Sequence, residues 1–393
     1  MNKKLISVLC SAALILSFAG CGSENNTASE ATTTTETTAA AEITNNTYEA
    51  TSEYVKHLGR AYYDDFDEAL ICAYSGTGCE FTVTGTSVSV NIVGDNAAKS
   101  GNKDNAARFA VYVDGEKTMD MQLEEQQKTL TVFESDTEKT AVVSLVKLSE
   151  TANSTLSVDS INVTGKIEPT AEKDMYIEFV GDSITCGYGV DDEDRNHHFS
   201  TSTEDCTKAY AYKTAKLLDA DYSLVSISGY GVISGYTSDP DKKSGNQLMP
   251  MYYDKIGYSY SKSIASIKWD FNRKPDVIVI NLGTNDESYC KNDKDKRAEF
   301  TSEYVNFLKK IRSNNEDAKI LCVLGVMGSG LYDCVEDAVN TYSAETGDNA
   351  VYAMKLPNQQ EADGIAADWH PTEATHEKTA ALVAEKIQEL IAQ

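Results

Sequence analysis

Hydrolysis of an ester through a covalent intermediate needs a nucleophile, a base to take its proton, and donors for the oxyanion that forms. Ser183 is a candidate nucleophile. It follows the apolar run YIEFV within Gly181-Asp182-Ser183-Ile184, where glycine permits a tight exit from a strand. The base is approached by elimination, because the sequence holds five histidines. His57 precedes a β-rich region, His197 and His198 lie in the charged segment VDDEDRNHHFS and read as solvated, and His376 falls inside a C-terminal helical stretch. His370 stands in Asp368-Trp369-His370-Pro371 just ahead of a helix. Proline there blocks helix upstream and fixes a turn, so the imidazole is presented from a defined loop. For the donors, Asn285 ends the strand of Asn281-Leu282-Gly283-Thr284-Asn285-Asp286, as a turn former or as a carboxamide aimed into a cleft. Gly229 closes SLVSISG, where the missing side chain lets its N–H come close to a substrate.

These residues need strand ends to carry them, and the hydrophobic pattern from residue 175 supplies them. The strands MYIEFVGDS, DYSLVSIS, PDVIVINLGTND, AKILCVLGV and NAVYAMKL alternate with helical stretches around 205–219, 295–314, 331–345 and 372–392. Phe300, Tyr304, Leu308 and Ile311 recur at helical spacing. This alternation predicts an α/β region, a parallel sheet covered by helices on both faces, with ligands bound beyond the carboxyl ends of its strands. Residues 48–165 have another period: short alternating Val/Thr/Ile runs punctuated by DG, TG and SG turns predict an antiparallel β-sandwich. Val113-Asp114-Gly115-Glu116 reads as a hairpin, and 166–174 as a linker to the second domain at 175–393.

The N-terminus reads as an address. Lys3 and Lys4 precede an apolar run, Leu5–Phe18, which is too short to span a bilayer as a helix. Ala19-Gly20 directly before Cys21 resembles the lipobox of bacterial lipoproteins, which implies a signal peptide over 1–20 and lipid on Cys21. Export and anchoring to the outer face of a bacterial membrane follow as expectations, with Thr/Glu-rich residues 21–47 as a solvated tether. The formal charge of −26 argues against nucleic-acid partners and against membrane binding except through such an anchor. After Cys10 and Cys21, seven cysteines remain, an odd number that cannot all pair; Cys72–Cys79 is the most plausible local disulfide. There is no CxxC or Cys/His pair at zinc spacing, and Asp191-Asp192-Glu193-Asp194 lacks the pattern of an EF-hand, so no metal or other cofactor is expected.

The strings GDSITCGYG, SISG, INLGTND and DWHP occur in the order of the four blocks of SGNH hydrolases, the GDSL family, which the chain therefore resembles. The fuller strings GDSITCGYGV, FSTSTED and DWHP are more narrowly similar to carbohydrate esterase family 2. The resemblance implies an SGNH (flavodoxin-like) three-layer α/β domain behind an N-terminal jelly-roll. It implies removal of O-acetyl groups from plant cell-wall polysaccharides such as xylan and glucomannan. Carried over by motif, Ser183 is the nucleophile and His370 the base, with the Ser183 N–H, the Gly229 N–H and the Asn285 side chain as the oxyanion hole. The broader family places an orienting Asp three residues before the His, and that position is Ala367 here. Asp368, two residues before, reaches the ring if the segment is extended; otherwise a backbone carbonyl holds the imidazole in a Ser–His dyad. Trp369 is a candidate for stacking on a sugar ring or a wedge for its loop, and most rings of MYYDKIGYSYS (251–261) read as packed against the sheet. Two readings compete with a polysaccharide deacetylase. One is an SGNH esterase or lipase on other acyl substrates; the other is a glycan-binding surface lipoprotein with a vestigial site.

Overall fold

The computed structural model describes residues 44–392. The signal segment 1–20, Cys21 and most of the 21–47 tether lie outside the described residues. The described chain forms one compact unit holding two sheets.

The first sheet is antiparallel and has nine strands: β1 (Asn45–Tyr48), β2 (Lys56–Leu58), β3 (Tyr62–Asp64), β4 (Ala69–Cys72), β5 (Gly78–Gly94), β6 (Arg108–Val113), β7 (Glu116–Gln122), β8 (Gln127–Lys147) and β9 (Leu156–Pro169). A short helix α1 (Asn96–Ser100) follows β5. Asp114 (φ +50) and Gly115 (φ +84) make the tight hairpin between β6 and β7 that Asp-Gly favours. The long strands β5 and β9 bend where Gly85 faces Gly165, and a Cβ on Gly85 would sit 2.2 Å from the Thr164 carbonyl oxygen. Curling in this way encloses a core of inward residues from alternating positions, among them Phe81, Val83, Val88, Val90 and Ile92. Two element limits differ from the sequence reading. Asn45–Tyr48 is a strand pairing with β9 rather than tether, and β9 runs through Pro169 into the expected linker.

Cys72 and Cys79 are corrected as well. β9 separates their strands in the sheet, and both thiols are free and buried, as are the other five described cysteines.

The second sheet is parallel, with β10 (Tyr176–Gly181), β11 (Asp221–Ser226), β12 (Val277–Asn281), β13 (Lys319–Val326) and β14 (Val351–Asn358) in the order β11-β10-β12-β13-β14. The helices are α2 (Ser183–Cys186), α3 (Tyr210–Leu217), α4 (Thr284–Cys290), α5 (Lys294–Asn314), α6 (Tyr332–Thr346) and α7 (Glu373–Ile391). β12 shows why its strand is apolar throughout: both faces are covered. Ile278 and Ile280 pack with Phe300, Leu308 and Val335 of α5 and α6. Val277 and Val279 pack with Tyr210, Ala380 and Val383 of α3 and α7. The result is the expected three-layer α/β arrangement, with its strand order reversing at β10.

The two sheets are tied by buried polar contacts. Arg60, fully buried after β2, donates to Glu178 of β10 from Nε at 3.1 Å and Nη2 at 2.8 Å. Lys56 pairs with Asp221 at 2.5 Å, and Tyr222 donates to the Gly76 carbonyl at 2.9 Å.

Candidate active site

β10 ends at Gly181, and the chain turns at once into the one-turn helix α2. A Cβ on Gly181 would lie 2.1 Å from Thr185 Oγ1, so the turn has no room for a side chain there. Asp182 caps α2 by accepting the Ile184 N–H at 3.0 Å. Ser183 is thereby presented past the carboxyl end of β10. His370 arrives from the loop before α7, and its Nε2 lies 2.9 Å from Ser183 Oγ. The two residues are 187 positions apart in sequence and 7% and 8% exposed.

The imidazole is oriented by main chain. Nδ1 lies 3.1 Å from both the Ala367 and the Asp368 carbonyl oxygens. Carbonyls only accept, so Nδ1 carries the hydrogen and Nε2 is left as the acceptor for the Ser183 hydroxyl. Of the two arrangements the sequence left open, the backbone-carbonyl one is found; the Asp368 carboxylate does not orient His370, and its place as orienter is corrected. Asp368 (φ +46) and Trp369 (φ +65) are left-handed, so the segment is not extended and residues two apart do not share a side. Its carboxylate accepts instead from Tyr188 Oη at 2.6 Å, from His198 Nδ1 at 2.9 Å and from the Phe199 N–H at 3.1 Å. Burial raises the Asp368 pKa, and these hydrogen bonds outweigh it, leaving the carboxyl below its ordinary value. Tyr188, held this way, stacks on His370 with centroids 4.0 Å apart. Asp368 is thus a positioning residue for Tyr188 and for the 197–199 loop.

Ser183, Gly229 and Asn285 line one cleft of about 620 Å³ together with His370, Trp369 and Tyr236. Gly229 follows β11 with φ +80, and no atom lies within 4 Å of where its Cβ would be. Asn285 is in the first turn of α4, beyond the end of β12. Its Nδ2 donates to the Tyr230 carbonyl at 2.9 Å and to Asp182 Oδ2 at 3.1 Å, so an oxyanion must displace one of these acceptors to gain its hydrogen. The neighbouring Asp286 carboxylate accepts the N–H groups of Val232, Ile233 and Ser234 at 2.7–3.0 Å and fixes the loop behind Gly229. Trp369 is 55% exposed, with the Arg195 guanidinium 4.6 Å from its ring centroid. Of residues 251–261, Tyr253 is in the core, Tyr252 packs edge-on and Tyr258 tilted against Tyr230, and Tyr260 is 67% exposed.

Sequence reasoning missed Tyr188, Asp182, Asp286 and the contact from His198. Tyr188 and Asp182 lay inside the quoted GDSITCGYG string and Asp286 inside INLGTND, but nothing there told their roles; His198 had no distinguishing signal. Among the described residues, no group of three or more His, Cys, Asp and Glu side chains is placed to hold a metal ion.

Burial, offset only partly by the carbonyls at Nδ1, pushes His370 down to about 4. A general base works only when neutral, so the main fall in kcat/KM should come as pH drops through about 4. Burial pushes Asp182 up to about 7 and Asp286 up to about 6. A smaller inflection in that interval would belong to these carboxyls. A pH–rate profile whose main limb sits at the ordinary imidazole value would contradict this reading of His370.

Residues 179–378 match the GDSL-like Lipase/Acylhydrolase family, and residues 57–170 match the family described as Carbohydrate esterase 2 N-terminal. The chain is 32% identical over 327 residues to a cellulase/esterase, CelE, of Acetivibrio thermocellus, which covers 80% of this chain and 36% of that protein. It is 28% identical over 241 residues to an acetylxylan esterase / glucomannan deacetylase of Cellvibrio japonicus, covering 58% of this chain and 64% of that one. Less than two thirds of the length of either relative is spanned. A solved family two carbohydrate esterase from Clostridium thermocellum, in complex with cellohexaose, superposes with a TM-score of 0.74 at 28% identity, covering 86% of this chain and 99% of that one.

Proposed function

The chain belongs to the GDSL-like lipase/acylhydrolase family, and from that premise we propose that it is a serine esterase removing O-acetyl groups from plant cell-wall polysaccharide, acetylated xylan or glucomannan. The observation that carries the chemistry is the 2.9 Å contact between Ser183 Oγ and His370 Nε2, in the cleft that Gly229 and Asn285 share. The match of residues 57–170 and the relative from Cellvibrio japonicus support the choice of acetylated glycan.

In this reading Ser183 Oγ attacks the acetyl carbonyl while its proton passes to His370 Nε2. The oxyanion is met by the Ser183 and Gly229 N–H groups and by Asn285. The sugar oxygen leaves with the proton from His370, and the acetyl group stays on Ser183. Water, giving its proton to His370, then attacks the acyl-enzyme; the bond to Ser183 Oγ breaks, Oγ takes that proton back from His370, and acetate is freed. Trp369 stands at the rim of the cleft, where a pyranose ring would stack. No metal or other cofactor enters the scheme. The same proposal places the enzyme at the outer face of a bacterial membrane through lipid on Cys21.

The test is acetate release from acetylated xylan, acetylated glucomannan and a butyryl ester, with Ser183→Ala as control. Acetate from a glycan, absent in the control, is the expected outcome. Release from the butyryl ester alone would favour an esterase or lipase of other acyl groups, and no release at all a vestigial site. Run on washed cells and on the medium, the same assay should show activity moving to the medium in Cys21→Ser; activity that stays with the cells would defeat the anchor.

A further inference from the structure

Glu150 leaves the end of β8 where the antiparallel sheet meets the parallel one, and it is 3% exposed. Its Oε2 accepts the backbone N–H of Ser228 at 2.8 Å, and Asn153 Nδ2 donates to Oε1 at 3.2 Å. The Cys186 thiol lies 4.0 Å from Oε2 and 3.2 Å from Ser226 Oγ. Ser228 immediately precedes Gly229, and Cys186 closes the single turn that begins at Ser183. One carboxyl group from the β-rich half therefore accepts a backbone N–H beside Gly229 and lies near the Cys186 side chain of the turn that begins at Ser183.

The main chain of Glu150 is itself fixed. Its N–H donates to Glu204 Oε2 at 2.7 Å, and its carbonyl accepts from Lys147 Nζ at 2.8 Å; both partners are buried. Gly229 is held in a different way. Nothing packs against its open side, so its direction is set by its neighbours' bonds: Ser228 N–H to Glu150, and its own carbonyl to the Tyr236 N–H at 2.8 Å. Burying a carboxylate is costly, and an apolar side chain would fill the space. What an apolar residue cannot supply is an acceptor for a loop N–H, which would otherwise be left unpaired in the interior.

We propose that Glu150 is a positioning residue for ester hydrolysis: through Ser228 it aims the Gly229 N–H at the oxyanion, so that the β-rich half supplies part of the reaction's machinery. This rests on the esterase reading. An oxyanion donor acts only if it is already in place when charge develops, and a displacement of about 1 Å can cost up to about 100-fold in rate.

The experiment compares Glu150→Gln and Glu150→Asp in the full chain, reading kcat, KM and the thermal unfolding midpoint with 4-nitrophenyl acetate as substrate. Gln keeps an acceptor oxygen at the same reach, whereas Asp withdraws the carboxylate by one C–C bond, about 1.5 Å. Expected are a kcat within about 3-fold of the parent for Gln, and a kcat about 10-fold or more lower for Asp with KM within about 2-fold, as for an interaction realised in the transition state. Parent-like kcat in Glu150→Asp would overturn the proposal. So would a loss of kcat in both variants that follows their thermal stability, or a failure of both to fold, because Glu150 would then serve the fold. An inactive parent chain would overturn the esterase reading, and this inference with it; an active parent with parent-like Glu150→Asp overturns this inference alone.

Discussion

Ser183→Ala and His370→Ala should each lower kcat on an acetyl ester by about 10⁶-fold, and the double variant should be no worse, because groups that act as a unit are lost together. Asp368→Ala should cost about 10-fold, far less than loss of the base. The difference follows from what each residue touches. Ser183 Oγ and His370 Nε2 face each other at 2.9 Å, and the His370 Nδ1 hydrogen is held by the carbonyls of Ala367 and Asp368. Removing the Asp368 side chain leaves both carbonyls in the chain. It frees Tyr188, which stacks on the imidazole, and unpins the 197–199 loop, so some drift of the ring is expected. Single-turnover rates on the four variants measure this directly. If Asp368→Ala fell as far as His370→Ala, the main-chain orientation of the imidazole would be wrong.

The same residues show how far a sequence exposes a site. The strand that leads to Asn285 is apolar on both faces because helices cover both, and the runs that lead to Ser183 and Gly229 are mostly apolar, so all three are legible without coordinates. Polar residues at the ends of those runs could be picked out by chemistry alone. The direction of the Asp368 side chain could not. It depends on two left-handed residues in succession, neither a glycine, and nothing in Ala-Asp-Trp-His announces them. The sequence left an extended segment and a backbone-held imidazole both open, and the positive φ values decided which part of Asp368 meets the ring. β1 was hidden for another reason: Asn-Asn-Thr-Tyr has little apolar content of its own, and its pairing partner is β9, more than 100 residues later. Glu150 and Arg60 carry no local signal at all, because each is explained by a partner in the α/β half: Ser228 in the loop after β11 for the first, Glu178 in β10 for the second.

Arg60 gives the second large effect, on stability. Arg60→Ala should destabilise the protein by about 3–5 kcal/mol, the usual cost of removing one partner from a buried ion pair. Its guanidinium donates twice to Glu178, donates to the Tyr253 carbonyl, and lies 5.0–5.6 Å from the ring centroids of Tyr253, Trp269 and Phe271. Glu178 is in β10, the strand that leads to Ser183, and is 2% exposed. Without Arg60 its carboxylate is left in the interior without a cation, and the aromatic cage loses the group it surrounds. If that stranded charge is the main cost, Glu178→Gln in the Arg60→Ala background should recover part of the loss, although it deletes a second native group. Urea unfolding followed by tryptophan fluorescence measures both variants beside the parent, and an Arg60→Ala midpoint equal to the parent's would refute the assignment. The same contact decides how the β-rich half can be studied. Deleting it wholesale would expose Glu178 and the face of the parallel sheet that Arg60, Lys56 and Gly76 now cover, so lost activity in such a truncation would report damage to β10. Point changes at the seam separate a structural contribution from a catalytic one, since Arg60 acts on the strand and Glu150 on the loop beside it.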